Sequence, residues 1–208
     1  MTEPSVDHLR VILTRSAGGY FRNPLRERLV TCSVCTTPVD GFERCFRCHE
    51  HRATAGELLA DRVGIMTYAI AGRQSGYVMR GYKSERPPPL HQRIVASTLG
   101  LALHHTACVE ALAGTPIAHW ASVPSLAGRQ GEHQLHHYAT RFARTTEVQV
   151  APRVTDNPRG LSGEHFHIAH HLPENAHILL IDDTWTTGGH AQSLALALRA
   201  AVPGRFRY

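Results

Sequence analysis

The sequence predicts an α/β fold in which a parallel sheet is flanked by helices, with a small four-cysteine module ahead of it. Three observations carry that expectation. Ile178-Leu179-Leu180-Ile181 is a run of four apolar residues, the mark of a strand buried on both faces, and it stops at two adjacent carboxylates, Asp182 and Asp183. Upstream of it, strand-like and helix-like stretches alternate, which is the pattern of βαβ units. Two Cys-x-x-Cys pairs, Cys32-Ser-Val-Cys35 and Cys45-Phe-Arg-Cys48, hold four of the chain's 5 cysteines.

Taken in order, residues 1–28 carry little signal. Asp7 to Thr14 suits one short helix or strand, and Ala17-Gly18-Gly19 breaks it. Residues 29–52 form the cysteine module. Each pair supplies two thiolates about a turn apart, and the stretch between them, with Pro38 and Asp40-Gly41, folds the pairs together as tetrahedral zinc requires. A module of this size has no core of its own, so the metal would supply its folding energy. The alternatives are two disulfides, disfavoured in a cytoplasmic chain, or a redox-active Cys-x-x-Cys, which needs no second copy. His49 and His51 are spare ligands beside four sufficient cysteines. Cys108 stands alone in a helical pattern and is expected to be a buried small apolar residue.

Residues 53–208 make the main domain. A helix is expected over Ala55–Arg62 and a strand over Val63–Ala71, followed by a turn and a helix that runs through Tyr82 to an exposed Lys83. Pro87-Pro88-Pro89 reads as a stiff extended spacer. A long helix, about Leu90–Leu112, has Ile94, Leu101 and Cys108 at helical spacing. Ile117–Val123 reads as a strand, Glu132–Arg144 as a helix and Val148–Val150 as another strand. Arg153–Gly163, with Pro158 and two glycines, is a loop. Glu164–His170 alternates as a half-exposed strand would. The Ile178–Ile181 strand and a helix over about His190–Ala201 close the chain.

Composition bounds the reading. With 208 residues and a hydrophobic fraction of 42%, the chain can bury one sizeable core plus a small appendage. No apolar run approaches the ~20 residues that span a bilayer; the longest, Ile94–Leu103, ends at His104-His105. Near the N-terminus Val11-Ile12-Leu13 is too short for a signal peptide, so a cytoplasmic protein is expected. The net charge of +5 and pI near 9.2 suit a polyanionic ligand or nucleic acid, and equally a solvated basic surface. The 16 histidines are spread along the chain and are read mostly as surface residues.

The chemistry concentrates after the last strand. Asp182-Asp183 leads into Thr184-Trp185-Thr186-Thr187-Gly188-Gly189 and then into a helix start. Backbone N–H groups and the positive end of a helix attract phosphate. Hydroxyls add hydrogen bonds, glycines let the backbone come close, and carboxylates accept hydrogen bonds from ribose hydroxyls. The alternative is an ordinary buried strand followed by a turn.

Asp182, Asp183, Thr186, Thr187, Gly188 and Gly189 resemble the phosphoribosyl-pyrophosphate (PRPP) binding motif of type I phosphoribosyltransferases. The order of the cysteine pairs, Tyr82-Lys83, Val123-Pro124-Ser125 and this motif resembles the ComF family of competence-associated phosphoribosyltransferase-like proteins, over about residues 30–201. The resemblance implies a type I phosphoribosyltransferase-like fold for the main domain. It places Asp182 and Asp183 on the ribose hydroxyls, and Thr186 to Gly189, with His190, at the 5′-phosphate. Val123-Pro124-Ser125 would approach the pyrophosphate, Lys83 and Arg129 would neutralise it as it leaves, and magnesium would arrive with it. The implied reaction is phosphoribosyl transfer from PRPP to an unidentified acceptor. The alternative is a non-catalytic PRPP- or nucleotide-binding competence factor that acts with single-stranded DNA or DNA-uptake proteins.

The chain departs from the family at several positions. Thr184 and Trp185 stand where aliphatic residues are usual, and His190 where a small or hydroxyl residue is usual. Thr186 replaces the aspartate of 6-oxopurine enzymes, and a hydroxyl cannot serve as their acid/base near neutral pH. After the Val-Pro loop, Arg129-Gln-Gly131-Glu-His133-Gln134 keeps only the arginine and glycine of an Arg-Gly-Phe-Asn-like segment. Arg205–Tyr208 supplies at most the start of a further strand, so a missing or very short edge strand is expected.

Overall fold

The computed structural model describes residues 4–126, 133–153 and 155–202. The chain divides into two compact units, one made of Met1–Pro24, Ile65–Pro116 and Glu132–Arg144, the other of Leu25–Gly64, Ile117–Gly131 and Thr145–Tyr208.

The first unit is helical. It holds α1 (Val6–Ala17), α3 (Gln74–Gly81), α4 (Pro89–His104), α5 (Thr106–Ala113) and α6 (Gln134–Phe142), and α1, α3 and α6 all pack on α4. α1 and α6 show why they form. Ser5 caps α1 by accepting a hydrogen bond from the His8 N–H at 3.3 Å. α6 buries Leu135, Tyr138, Ala139 and Phe142, one stripe at i, i+3, i+4 and i+7. Val78, Tyr82 and Ile94 lie fully inside the resulting core with Ala17, Val95 and Tyr138.

Several expectations change here. The three prolines are not all spacer, because Pro89 opens α4 at its first turn, where a missing N–H costs nothing. The long helix is two helices, parted at His105, whose N–H donates to the Ala102 carbonyl in a tighter turn. Cys108 is exposed on α5 rather than buried. Lys83 is half-buried rather than exposed. No strand forms over Val63–Ala71 among the described residues; one bridge joins Tyr68 to Arg22, too little partner for a ladder.

The second unit is mixed. Three short strands, β1 (His119–Ser122), β2 (Thr146–Glu147) and β5 (Ile178–Ile181), make a parallel sheet in the order β2-β1-β5. An antiparallel ribbon pairs β3 (Val150–Pro152) with β4 (Phe166–Ile168). The alternation expected around Glu164–His170 is present, with Phe166 buried and His167 exposed. α7 (Gly189–Ala200) packs on β4 and β5. Its Leu194, Ala197 and Leu198 join Ala121, Val123, Phe166 and Leu172 in the core.

β5 is not buried on both faces: only Ile181 is buried, and Ile178 to Leu180 are half-buried. Among the described residues β5 pairs with β1 alone and is an edge strand, so water reaches its open side. Arg205–Tyr208, expected to supply at most the start of a further edge strand, lies outside the described residues. The helix expected at Ala55–Arg62 sits earlier, as α2 (Phe46–Ala55), followed by a single 3-10 turn at Gly56–Leu58.

Two side chains of α7 tie it to the segment after that turn. Buried Gln192 accepts the Ala60 N–H at 2.8 Å, and Arg199 donates to the Leu59 carbonyl at 3.0 Å and to Asp61 at 2.8 Å.

Candidate functional site

The parallel register places two loops side by side. Ser122, the last residue of β1, is level with Ile181, the last of β5, and the Val123 N–H donates to the Ile181 carbonyl at 2.9 Å. Val123-Pro124-Ser125 and Asp182-Asp183 therefore leave the sheet at its carboxyl edge, next to each other. In open α/β sheets that edge is where ligands sit, because loops diverge there and leave a crevice. Val123 is buried, Pro124 and Ser125 half-buried, Asp182 exposed and Asp183 half-exposed.

Local chemistry shapes the second loop. The Asp182 carboxylate accepts the Asp183 N–H at 2.8 Å, and the chain bends at Asp183 as it leaves β5. The Thr187 hydroxyl accepts the Gly189 N–H at 3.3 Å, so one of the orphan donors of α7 is satisfied within the loop. Gly188 caps α7 with φ of +78°, in the left-handed region that favours glycine. A second constraint acts on it, because a β-carbon there would overlap the six-membered ring of the Trp185 indole. Gly189 is held as closely from another side: its β-carbon would lie 2.8 Å from the Arg159 carbonyl oxygen.

The helix start is also clamped by the 157–162 segment. The His190 Nε2 is 2.7 Å from the Pro158 carbonyl, to which the ring donates as its Nε2–H tautomer. One turn on, the Ser193 hydroxyl accepts the Ser162 N–H at 2.9 Å. His190, expected at a phosphate, thus has its ring engaged with a backbone carbonyl. His165 lies buried nearby; its burial, and next the His190 ring, push its pKa below the usual histidine value.

The four cysteines come together as their spacing predicts. Their sulfurs all lie within 4.8 Å of one another, and those of Cys35 and Cys45 are 3.7 Å apart. Tetrahedral sulfur ligands about 2.3 Å from a zinc ion are about 3.8 Å apart, whereas disulfide sulfurs are about 2.05 Å apart. All four are free thiols. Cys32, Cys35, Cys45 and Cys48 are thus positioned to bind a metal ion, and the set is compatible with structural zinc.

The backbone builds this site in two halves. In the first, the Cys32 N–H donates to the Thr37 carbonyl at 2.8 Å and the Thr36 N–H to the Cys32 carbonyl at 3.0 Å, a tight turn that needs Thr36 at φ of +60°. In the second, Cys45 is the N-cap of α2 and Cys48 lies in its first turn, where the helix dipole favours thiolates.

Without a cation the four thiols do not ionise together. Hydrogen bonding from the Cys48 thiol, helped by Thr37, draws the Cys35 pKa well below that of an ordinary thiol. The same pairing with Cys35 drives the Cys48 pKa far up, and burial raises that of Cys45. Four adjacent thiolates repel one another unless a dication offsets their charge.

Trp185 joins the two regions. It packs against the cysteine cluster, against the core of the second unit, and over Gly188. The sequence assigns it no role, and its bulk amid small and hydroxyl residues is the one signal it carries. Lys83 belongs to the helical unit, with its ammonium 5.8 Å from the centre of the Tyr82 ring. Arg129 lies outside the described residues.

Comparison of the chain with family models, with curated proteins and with solved structures gives no match. Among the described residues no helix is long and apolar enough to cross a membrane.

Proposed function

We propose that this chain is a phosphoribosyltransferase-like protein of the ComF type, which binds PRPP with magnesium and transfers phosphoribose to an acceptor. One observation carries the reading. The register of β1 against β5 sets Val123-Pro124-Ser125 beside Asp182-Asp183, where the loop Thr184-Trp185-Thr186-Thr187-Gly188-Gly189 begins, at the carboxyl edge of a parallel sheet. On this reading Asp182 and Asp183 accept hydrogen bonds from the two ribose hydroxyls. The amides at the start of α7 receive the 5′-phosphate, and the Val-Pro loop faces the pyrophosphate with its magnesium. Lys83 and Arg129 are the proposed cations for the departing pyrophosphate. Catalysis would then be positioning and charge neutralisation around a cation-like transition state. Structural zinc in the cysteine cluster belongs to the same proposal.

Titration calorimetry with PRPP and magnesium, comparing the wild type with Asp183→Ala, tests the pocket. Binding that the substitution leaves unchanged would remove Asp183 from it. Pyrophosphate release across a panel of nucleobases tests the reaction, and PRPP binding without turnover on any acceptor would overturn the transferase half.

A second reading has its own observation. Phe42 and Phe46, beside the cysteine pairs, are each 69% exposed, and the Arg47 guanidinium lies 5.5 Å from the centre of the Phe46 ring. Exposed aromatics interleaved with Arg44 and Arg47 suit stacking on single-stranded DNA, with salt-dependent phosphate contacts. Fluorescence anisotropy with a labelled oligonucleotide decides it: affinity should fall in Phe42→Ala/Phe46→Ala and with rising salt. Affinity indifferent to both would sink this reading.

A further inference from the structure

We propose that Trp185 is a positioning residue that makes the shape of the phosphate loop depend on the metal-loaded cysteine cluster. The inference rests on the PRPP reading for its ligand and on packing alone for its mechanism. One indole makes both contacts. On one side it packs against the buried cluster of Cys32, Cys35 and Cys48. On the other it covers Gly188 so closely that a β-carbon there would overlap the ring.

The 157–162 segment holds the start of α7 from Gly189 on, while ahead of Gly188 the loop is open to water. Asp182, Thr184 and Thr186 are exposed, and Asp183, Trp185 and Thr187 are half-exposed. Within it the Thr187 hydroxyl holds the Gly189 N–H, and Gly188 takes a left-handed conformation that an unsupported glycine leaves readily. The cysteine cluster, in turn, has a fixed shape only when a cation holds four mutually repelling thiolates together. When the cluster loses its metal, the wall behind the indole loosens, the ring gains freedom, and Gly188 loses the surface that fixes it. Linkage makes the effect reciprocal: a ligand that fixes the loop must also slow metal release.

The test uses the full chain labelled with 5-fluorotryptophan. The chain has 2 tryptophans, so the signals of Trp120 and Trp185 are assigned by their loss in Trp120→Phe and Trp185→Leu. In the wild type, removing the metal with a chelator should shift or broaden the Trp185 signal and raise hydrogen exchange at the Gly189 amide about tenfold or more. Metal-loaded Trp185→Leu should keep its full metal content, show fast Gly189 exchange already, and respond no further to the chelator. That arm stays decisive if the metal-free wild type partly unfolds. Slow, wild-type-like Gly189 exchange in metal-loaded Trp185→Leu overturns the proposal, as does a Trp185 signal that ignores the metal. With PRPP and magnesium as probe, affinity should fall about tenfold in Trp185→Leu, and PRPP should slow metal release in the wild type only. If the metal-loaded wild type binds no PRPP, the functional reading fails, while the fluorine signal and the exchange rates still decide the coupling.

Discussion

Gly188→Ala is the sharpest perturbation of this site, because two separate costs meet at one position. An alanine held at φ of +78° sacrifices about 1–2 kcal/mol relative to glycine, from the clash of its β-carbon with the backbone. The same β-carbon falls inside the Trp185 ring. Moving an aromatic out of an occupied position costs about 1–3 kcal/mol, as overpacking generally does. The sum is about 2–5 kcal/mol, a large share of the stability of a chain of this size. A double-mutant cycle separates the terms. In a Trp185→Ala background the overlap disappears, and Gly188→Ala should cost only the backbone part, about 1–2 kcal/mol. Urea unfolding followed by circular dichroism, with metal at a fixed excess, measures all four corners. If Gly188→Ala costs the same in both backgrounds within about 0.5 kcal/mol, the additivity range of independent sites, the packing of Trp185 on Gly188 is refuted.

Three further outcomes follow from the same structure. Protein purified under reducing conditions should carry one metal ion per chain, and Cys48→Ser should lose it together with the fold of the cysteine module, as read by elemental analysis and limited proteolysis; full metal retention would contradict the ligand set. Gln192→Ala should cost about 1–3 kcal/mol by leaving the Ala60 N–H without its acceptor, whereas Asp61→Ala, whose side chain is 80% exposed, should change urea stability by no more than about 0.5 kcal/mol. Burial lowers the His165 pKa in the fold below its ordinary value. The unfolded chain therefore binds the proton first, and stability that is complete above the usual histidine pKa, about 6.5, is lost as pH falls below it. Urea midpoints should decline from pH 7 to pH 5, and His165→Gln should flatten the decline; an unchanged slope would refute this assignment.

What the sequence disclosed, and what it concealed, follows from how local each signal is. The cysteine pairs were legible because metal geometry dictates spacing, and spacing survives in one dimension. The acid pair after Ile178–Ile181 was legible for a similar reason: strand, turn and helix start lie within fifteen residues. α2 was missed because it has almost no apolar stripe. It buries only Cys48 and His51, and the cysteines at its first turn anchor it in place of a hydrophobic face, so periodicity had nothing to find. The strand expected at Val63–Ala71 failed for the opposite reason. Its residues suit a strand, but a strand exists only with a neighbour, and pairing is set by distant parts of the chain. The division at His105 had no warning either, since neither proline nor glycine marks it. Trp185 looked like a defect in a motif because its two partners, Gly188 and the cysteines, are respectively three and more than a hundred residues away.

The charge balance of the loop bears on how a PRPP site would have to work here. Ile178–Gln192 contains no lysine or arginine and two adjacent aspartates. Any attraction it has for a phosphate must come from backbone N–H groups and the positive end of α7, which together act as roughly half an elementary charge. That is less than the charge of Asp182 and Asp183, so the loop alone repels a bare polyanion. Two partners reverse the balance on the proposed reading. Ribose hydroxyls turn the carboxylates into hydrogen-bond acceptors, and a divalent cation lowers the charge of the pyrophosphate before it arrives. The loop would therefore select a sugar phosphate over a free phosphate. Inorganic phosphate should bind weakly with or without magnesium, whereas PRPP binding should require the metal. Calorimetry with both ligands separates the cases, and tight binding of inorganic phosphate in the absence of magnesium would show that the carboxylates do not govern the site.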